Sequence, residues 1–153
     1  MDPSNFMIGM GAAIAEDLEL HAWCIAMLGK ALTVYVGVDL NNPPEESEYP
    51  LCALFDAQPK WGESGSKQTI VLDLAVAVYD EEMKTEGNLR IFSGLPKVAE
   101  LKAKVEGAIL RSGLAVAVDF VESDGLLPMA PTFFGFTMAE CQLIKSSRQA
   151  VRR

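Results

Sequence analysis

Between Ile8 and Lys30, in "IGMGAAIAEDLELHAWCIAMLGK", Ile14, Leu18, Ile25 and Leu28 stand at spacings of three, four and seven. That stripe predicts one amphipathic helix over 8–30, with Gly29 as its stop. The pattern then changes period. "LTVYVGVDL" (Leu32–Leu40) is rich in β-branched and aromatic residues and predicts a strand. "NNPPEESE" predicts a turn or exposed loop, because Pro43 and Pro44 have no N–H to give a ladder. "YPLCALFDA" (Tyr49–Ala57) predicts a second strand, "QPKWGESGSK" the loop of a long hairpin, and "QTIVLDLAVAVYD" (Gln68–Asp80) a third strand of thirteen residues.

"EEMKTEGNLRIFSG" shows neither period and predicts an irregular connection. Ser93 is placed to cap a second helix through "LPKVAELKAKVEGAILRS", with Pro96 in its first turn and Gly113 as its end. Val98, Leu101, Val105 and Ile109 form its apolar stripe, and Lys97, Glu100, Lys102 and Lys104 lie outside it. "LAVAVDFVE" predicts a fourth strand, "SDGLLP" a turn, and "PTFFGFTMAEC" (Pro131–Cys141) a fifth, returning strand. The order α-β-β-β-α-β-β predicts an α+β fold: a mixed, mainly antiparallel sheet with two helices packed on one face. Residues 1–141 form a single domain in this reading, and 142–153 a basic C-terminal tail.

"LAVAV" occurs twice, at Leu74–Val78 and Leu114–Val118, without matching flanks. Alternation along a strand puts Ile70, Leu72, Leu74, Val76 and Val78 on one face, and Val71, Asp73, Ala75, Ala77 and Tyr79 on the other. In the second copy, Leu114, Val116, Val118 and Phe120 oppose Ala115, Ala117 and Asp119. Two strands of one sheet obeying one packing rule account for the repeat. The bulky face belongs under the helices. The alanine face, with Asp73, Ala75, Ala77, Ala115, Ala117 and Asp119, is the candidate for a protein contact or a channel lining.

Composition sharpens this picture. Half of the 153 residues are hydrophobic and 22% charged, a balance that favours association through apolar surface. Residues 1–141 hold all 21 acidic side chains against nine basic ones, a net of −12, while "QLIKSSRQAVRR" carries four bases and no acid. An acidic body disfavours sequence-reading nucleic-acid binding, which needs cations opposite phosphates. It is compatible with DNA passing by unbound. Cys24, Cys52 and Cys141 form no CxxC and read as buried free thiols of a reducing compartment. Asp2 stands where a signal peptide would be basic, and no apolar run approaches a membrane span.

Candidate chemistry is sparse. His21 lies three residues before Cys24, a conceivable nucleophile pair without an orienting partner. "GMG" (Gly9–Gly11) lacks the preceding strand and third glycine of a dinucleotide fingerprint, and the acids of "DEEMKTE" lack the spacing of a calcium loop. The residues therefore predict neither catalysis, metal nor cofactor. Trp61, beside Lys60 in a polar loop, is the remaining candidate, with two readings open: an anchor for a partner's pocket, or an indole folded back on its own sheet.

Taken together, the N-terminal helix, the strand "YPLCALFDA", the loop holding Trp61, the strand "TIVLDLAVAVYD" and the helix "VAELKAKVEGAIL" form an order that resembles a known family. It is that of the tail terminator proteins of long-tailed bacteriophages, the group of the lambda tail terminator and related tail-completion proteins. The resemblance covers residues 8–141 and rests on pattern, with no invariant motif. It implies a structural virion protein, assembled in the host cytoplasm into a homohexameric ring. Such a ring caps the tail tube protein and meets the head-connector protein, with DNA passing through and no membrane involved. The chain departs from the family around "NNPPEESE" and in its basic tail, so ring contacts there are not carried over. Two alternatives stand beside it: another phage neck or tail component, and an α+β enzyme or small-ligand-binding domain whose site is a pocket.

Overall fold

The computed structural model describes residues 2–39, 41–60, 67–121 and 125–144. The first predicted helix is two helices. The side chain of Asp2 accepts a hydrogen bond from Asn5 N at 2.9 Å and Pro3 occupies the first turn, so helix α1 (Pro3–Glu16) starts before the apolar stripe does. It stops at Asp17, whose backbone is extended and whose carboxylate accepts from Leu20 N at 2.8 Å to cap α2 (Leu18–Leu28). An aspartate offers backbone N–H groups an acceptor outside the helix, and here that local bond outcompetes one more helical turn. The break resets the phase. Phe6, Met10 and Ile14 are buried on α1, and Leu20 and Cys24 on α2, whereas Leu18 is 84% exposed and Ile25 also faces outward. Gly29, at φ +77°, ends α2 as its position predicts.

Strand β1 (Thr33–Val36) is shorter than predicted because Gly37, at φ +98°, turns the chain out of the ladder. Strands β2 (Leu51–Pro59) and β3 (Lys67–Tyr79) follow, and β3 runs unbroken for thirteen residues. The segment predicted as irregular is a hairpin of β4 (Met83–Glu86) and β5 (Leu89–Phe92), joined by Gly87 at φ +61° and Asn88. A two-residue loop with glycine first is a hairpin signal in its own right. Helix α3 (Gly94–Arg111) buries Val98, Leu101, Val105 and Ile109, the predicted stripe. Ser93 stands at its start without capping it; its hydroxyl donates to Glu82 O at 3.1 Å and ties the hairpin to the helix. Three strands complete the described residues: β6 (Ala117–Phe120), β7 (Leu126–Met129, overlapping the predicted turn) and β8 (Thr132–Ile144).

The architecture is α+β: the described residues form three α-helices, a mixed, mostly antiparallel six-stranded sheet and the β4–β5 hairpin. The sheet order is β1-β2-β3-β8-β6, with β7 pairing the other end of β8 and only β1–β2 parallel. Strand β8 pairs with all thirteen residues of β3, from Lys67↔Ile144 to Tyr79↔Thr132. Helix α1 covers β1 and β2, α3 covers β3 and β8, and α2 lies against α1 and α3. Between helices and sheet sit Ile70, Leu72, Leu74, Val76 and Val78 of the first "LAVAV" strand. The three cysteines are buried free thiols in this core. The second copy obeys the alternation only from Ala117 to Phe120: Val116 is 62% exposed, and Ala115 packs towards the core. Both copies lie in one sheet, separated by β8.

Two glycines on helices predict opposite responses. A Cβ on Gly94 would lie 2.2 Å from the Phe133 ring, so Gly94→Ala forces overpacking and is expected to cost about 1–3 kcal/mol. At Gly9 the nearest side-chain atom is Leu114 Cδ1 at 3.8 Å, ordinary contact, and Gly9→Ala should stabilise by up to about 1 kcal/mol. Urea midpoints of the two variants should fall on opposite sides of the parent.

The helix junction gives a pH-dependent prediction. Arg111 Nε and a terminal nitrogen reach the two Asp17 carboxylate oxygens at 3.0 and 2.8 Å, tying α3 to the break. The Arg111 hydrogen bond holds the Asp17 carboxyl below its usual value of 3.8. A depressed carboxyl contributes stability above its unfolded pKa and loses it as pH falls through the folded one. Asp17→Ala should thus cost about 1 kcal/mol from the cap alone at neutral pH. The difference from the parent should start to close as pH falls below 3.8 and close further as the folded carboxyl, held lower, is protonated.

Candidate functional site

Among the described residues no α-helix lies on the face of the sheet away from α1, α2 and α3, and the composition of that face is set by the register. On β3 and β8 the pairs Ala77↔Phe134 and Ala75↔Phe136 point to this side at one end, and Val71↔Glu140 and Thr69↔Gln142 at the other. Strand β2 adds Leu51 and Ala53, paired with Ala77 and Ala75. A bulge follows, because Leu54 pairs with Leu74 but Asp56 pairs with Asp73, leaving Phe55 as the extra residue. A bulge lets two successive side chains share one side. Phe55 and Asp56 both stand on the helix-free face, where Phe55 is 43% exposed.

A small second cluster forms there. Leu51, Ala53 and Ala77 are buried beneath Tyr35, Tyr49 and Phe134. Around it lies a groove of about 770 Å³. Ala53 and Ala75 line its base, and Phe55, Phe134, Phe136 and Leu127 its apolar side. Phe134 and Phe136 stack at 6.5 Å and 16°. Phe136 remains 37% exposed and Leu127 44%. The opposite wall is the connection from β1 to β2, through Val38, Asp39, Pro43, Pro44, Glu45 and Glu48. Parallel strands cannot be joined by a tight hairpin, so this connection has to cross over, and it crosses on the helix-free side. The predicted exposed turn "NNPPEESE" is therefore the wall of a groove.

The described residues lining the groove carry three carboxylates and no cation. Asp39 accepts from Asn41 N at 3.0 Å and Asn42 Nδ2 at 2.9 Å, and the Asn42 bond holds its carboxyl below the ordinary value. The Tyr35 hydroxyl donates to Glu48, which pushes the phenol upwards. Glu45 is exposed. On the far side of the same wall is a second concavity of about 600 Å³, where Lys97 meets Asp80 at 2.7 Å and Lys30 Nζ donates to Ser47 O at 2.6 Å. Tyr79 next to it donates to Glu81, which pushes its hydroxyl up to about 12.

Of the predicted contact residues, Asp73 and Ala75 are half-buried on the helix-free face, and Ala117 and Asp119 are exposed on it. Ala77 is wholly buried within the chain and is out of a partner's reach. Ala115 packs against the main core, off this face, because the chain joins the ladder only at Ala117. The two alanine stripes do not merge. Ala117 pairs with Gln142, level with Thr69, which is six residues along β3 from Ala75, or about 20 Å. Lys60 is exposed just past β2, with Nζ 3.5 Å from Glu140. Trp61 lies outside the described residues.

Sequence reasoning missed Phe55, Phe134, Phe136 and Tyr35. "FFGF" did hold a usable signal: alternation through Phe133–Phe136 sends Phe133 into the core, leaving Phe134 and Phe136 opposite. Nothing in the sequence marks the bulge at Phe55.

Nucleophilic chemistry finds no support at the residues weighed for it. Cys24 is buried, its thiol pushed up to about 11 by burial, while His21 is exposed. Among the described residues no group of three or more His, Cys, Asp or Glu is placed to hold a metal ion. No helix among them is long and apolar enough to cross a membrane. The groove offers apolar area, aromatic faces and carboxylate acceptors, the means of binding an extended or cationic partner. Compared with known proteins, the chain matches no family model and no curated protein.

Proposed function

We propose that this chain is the structural subunit of a ring of the tail-terminator type. In this reading it associates with copies of itself, caps a tail tube, presents a surface to a head connector and lets DNA pass through. One observation carries the proposal: one end of the helix-free face is an open apolar groove that no described element of the chain covers. Phe55, Phe136 and Leu127 together expose the kind of contiguous apolar patch that marks interaction sites in soluble proteins. Its placement on a broad, sheet-backed face suits a subunit contact, since such a platform holds its side chains rigidly.

A second reading rests on the same groove. Its volume of about 770 Å³ falls in the range of about 300–1,000 Å³ that small-molecule sites occupy, and its lining is mainly apolar. A monomer with a small ligand in the groove would satisfy that geometry. The two readings differ in solution mass. Sedimentation velocity over a wide concentration range should give a closed oligomer of several subunits, visible as a ring by negative-stain microscopy. Ala75→Arg, which fills the base of the groove without entering the main core, should shift the population towards monomer while circular dichroism stays unchanged. A monomer at every concentration would remove the ring reading.

The charge balance adds a prediction about DNA. The −12 carried by residues 1–141 repels phosphate, and the four tail cations give only salt-sensitive attraction through counterion release. Duplex DNA at near-physiological salt should form no tight complex with the chain. A submicromolar, salt-resistant complex would contradict the passenger role.

A further inference from the structure

We infer that the groove on the helix-free face receives the basic segment Lys145–Arg153 of a neighbouring copy. The inference rests on the ring reading above and names the contact that would build the ring.

The groove sets the chemistry of its occupant. An apolar base beside Phe55 and Phe136 calls for apolar side chains, and the small, half-buried Ala75 lets a backbone come close. Asp39, Glu45 and Glu48 on the opposite wall, with no cation among the described lining residues, call for positive charge. One stretch of this sequence combines both. Residues 145–153, "KSSRQAVRR", hold Lys145, Arg148, Arg152 and Arg153 without an acid, and Ala150 and Val151 between them. Elsewhere in the sequence bases stand singly, as Lys30 does, or among acids, as in "VAELKAKVEG" and "DEEMKTEGNLR". Arginine suits such a place twice over, since its guanidinium pairs with carboxylates and stacks on aromatic faces.

Reach decides whose segment enters. Strand β8 runs away from the groove: Phe136 lines it, while Ile144 lies eight residues further along, about 27 Å. Nine extended residues span at most about 30 Å. To enter its own groove, the segment would have to reverse at once and return along the whole strand, and only its last residues would arrive. The groove of a neighbour set beside the Ile144 end imposes no such path. A contact between a groove at one end of the sheet and a segment leaving the other is heterologous, and heterologous contacts close into rings when the rotation permits. The nearer competitors for the segment are the carboxylates of its own sheet, Glu140 and Asp119.

Disulfide trapping in the full chain separates these outcomes. The native thiols do not interfere, because burial pushes Cys24 and Cys141 up to about 11 and Cys52 up to about 12. One preparation carries Pro43→Cys on the exposed groove wall; a second carries Ser146→Cys or Ser147→Cys, sampling both sides of an extended segment. Mixed and oxidised, they should form a cross-linked dimer holding one copy of each, for at least one of the two serine positions. Glu45→Lys in the groove partner should cut the yield several-fold, and Arg148→Glu or Arg152→Glu in the segment partner should restore it. Sedimentation of the same mixture is read separately. Assembly without a cross-link overturns this contact and leaves the ring reading standing. A third preparation carries both cysteines in one chain; cross-linking found only within that chain, with none in the mixture, assigns the segment to its own groove and also overturns it. A mixture that stays monomeric defeats both.

Discussion

Everything else in the fold depends on the pairing of β3 with β8 over thirteen residues. This two-stranded ribbon, about 44 Å long at strand rise, fixes which side chains face the helices and which do not. Ile70, Leu72, Leu74, Val76 and Val78 meet α1 and α3 across one side and leave the core with no polar residue that lacks a partner among the described side chains. Their alternates stand on the other side, where no α-helix of the described residues lies. The same register sorts that second side along its length, aromatic where Phe134 and Phe136 stand over alanines and polar where Glu140 and Gln142 meet Val71 and Thr69. A slip of one residue would exchange the core with the open face.

Two irregularities turn the open face into a groove. The bulge on β2 adds Phe55 to a side that strict alternation would deny it. The parallel β1–β2 pair forces a crossover, and the crossover brings Asp39, Glu45 and Glu48 to the opposite wall. Apolar area and negative charge meet there for reasons of connectivity. The main core is closed, with its cysteines buried, and the apolar surface it leaves unused lies in this groove, on the short strands and at single helix positions such as Ile8, Leu18 and Leu110.

Much of this was legible in the sequence, and the exceptions have physical causes. The α+β class, the thirteen-residue strand and the stripe Val98, Leu101, Val105, Ile109 follow from periodicity, because each element buries one side against a single core. The break at Asp17 did not follow, since an aspartate serves equally as a polar residue on a helix and as a cap, and the choice depends on Arg111 from 94 residues away. The β4–β5 hairpin was missed because both strands are largely exposed and carry no burial pattern, although Gly87-Asn88 marked the turn. For the site, Asp73 and Ala75 were placed on the right side of the sheet by alternation alone. The burial of Ala77 beneath Tyr35, Tyr49 and Phe134 depends on residues from other strands, and the groove wall depends on β1 pairing parallel, which no local pattern records.

The central claim is that copies of this chain meet through the helix-free face. Electron cryomicroscopy of the assembled particle tests it most directly, because it shows which surface lies at the subunit boundary. The account predicts a ring in which Phe55, Leu127 and Phe136 of each subunit are covered by the next one. A ring joined through α1, α2 and α3, with that groove open to solvent, would contradict it.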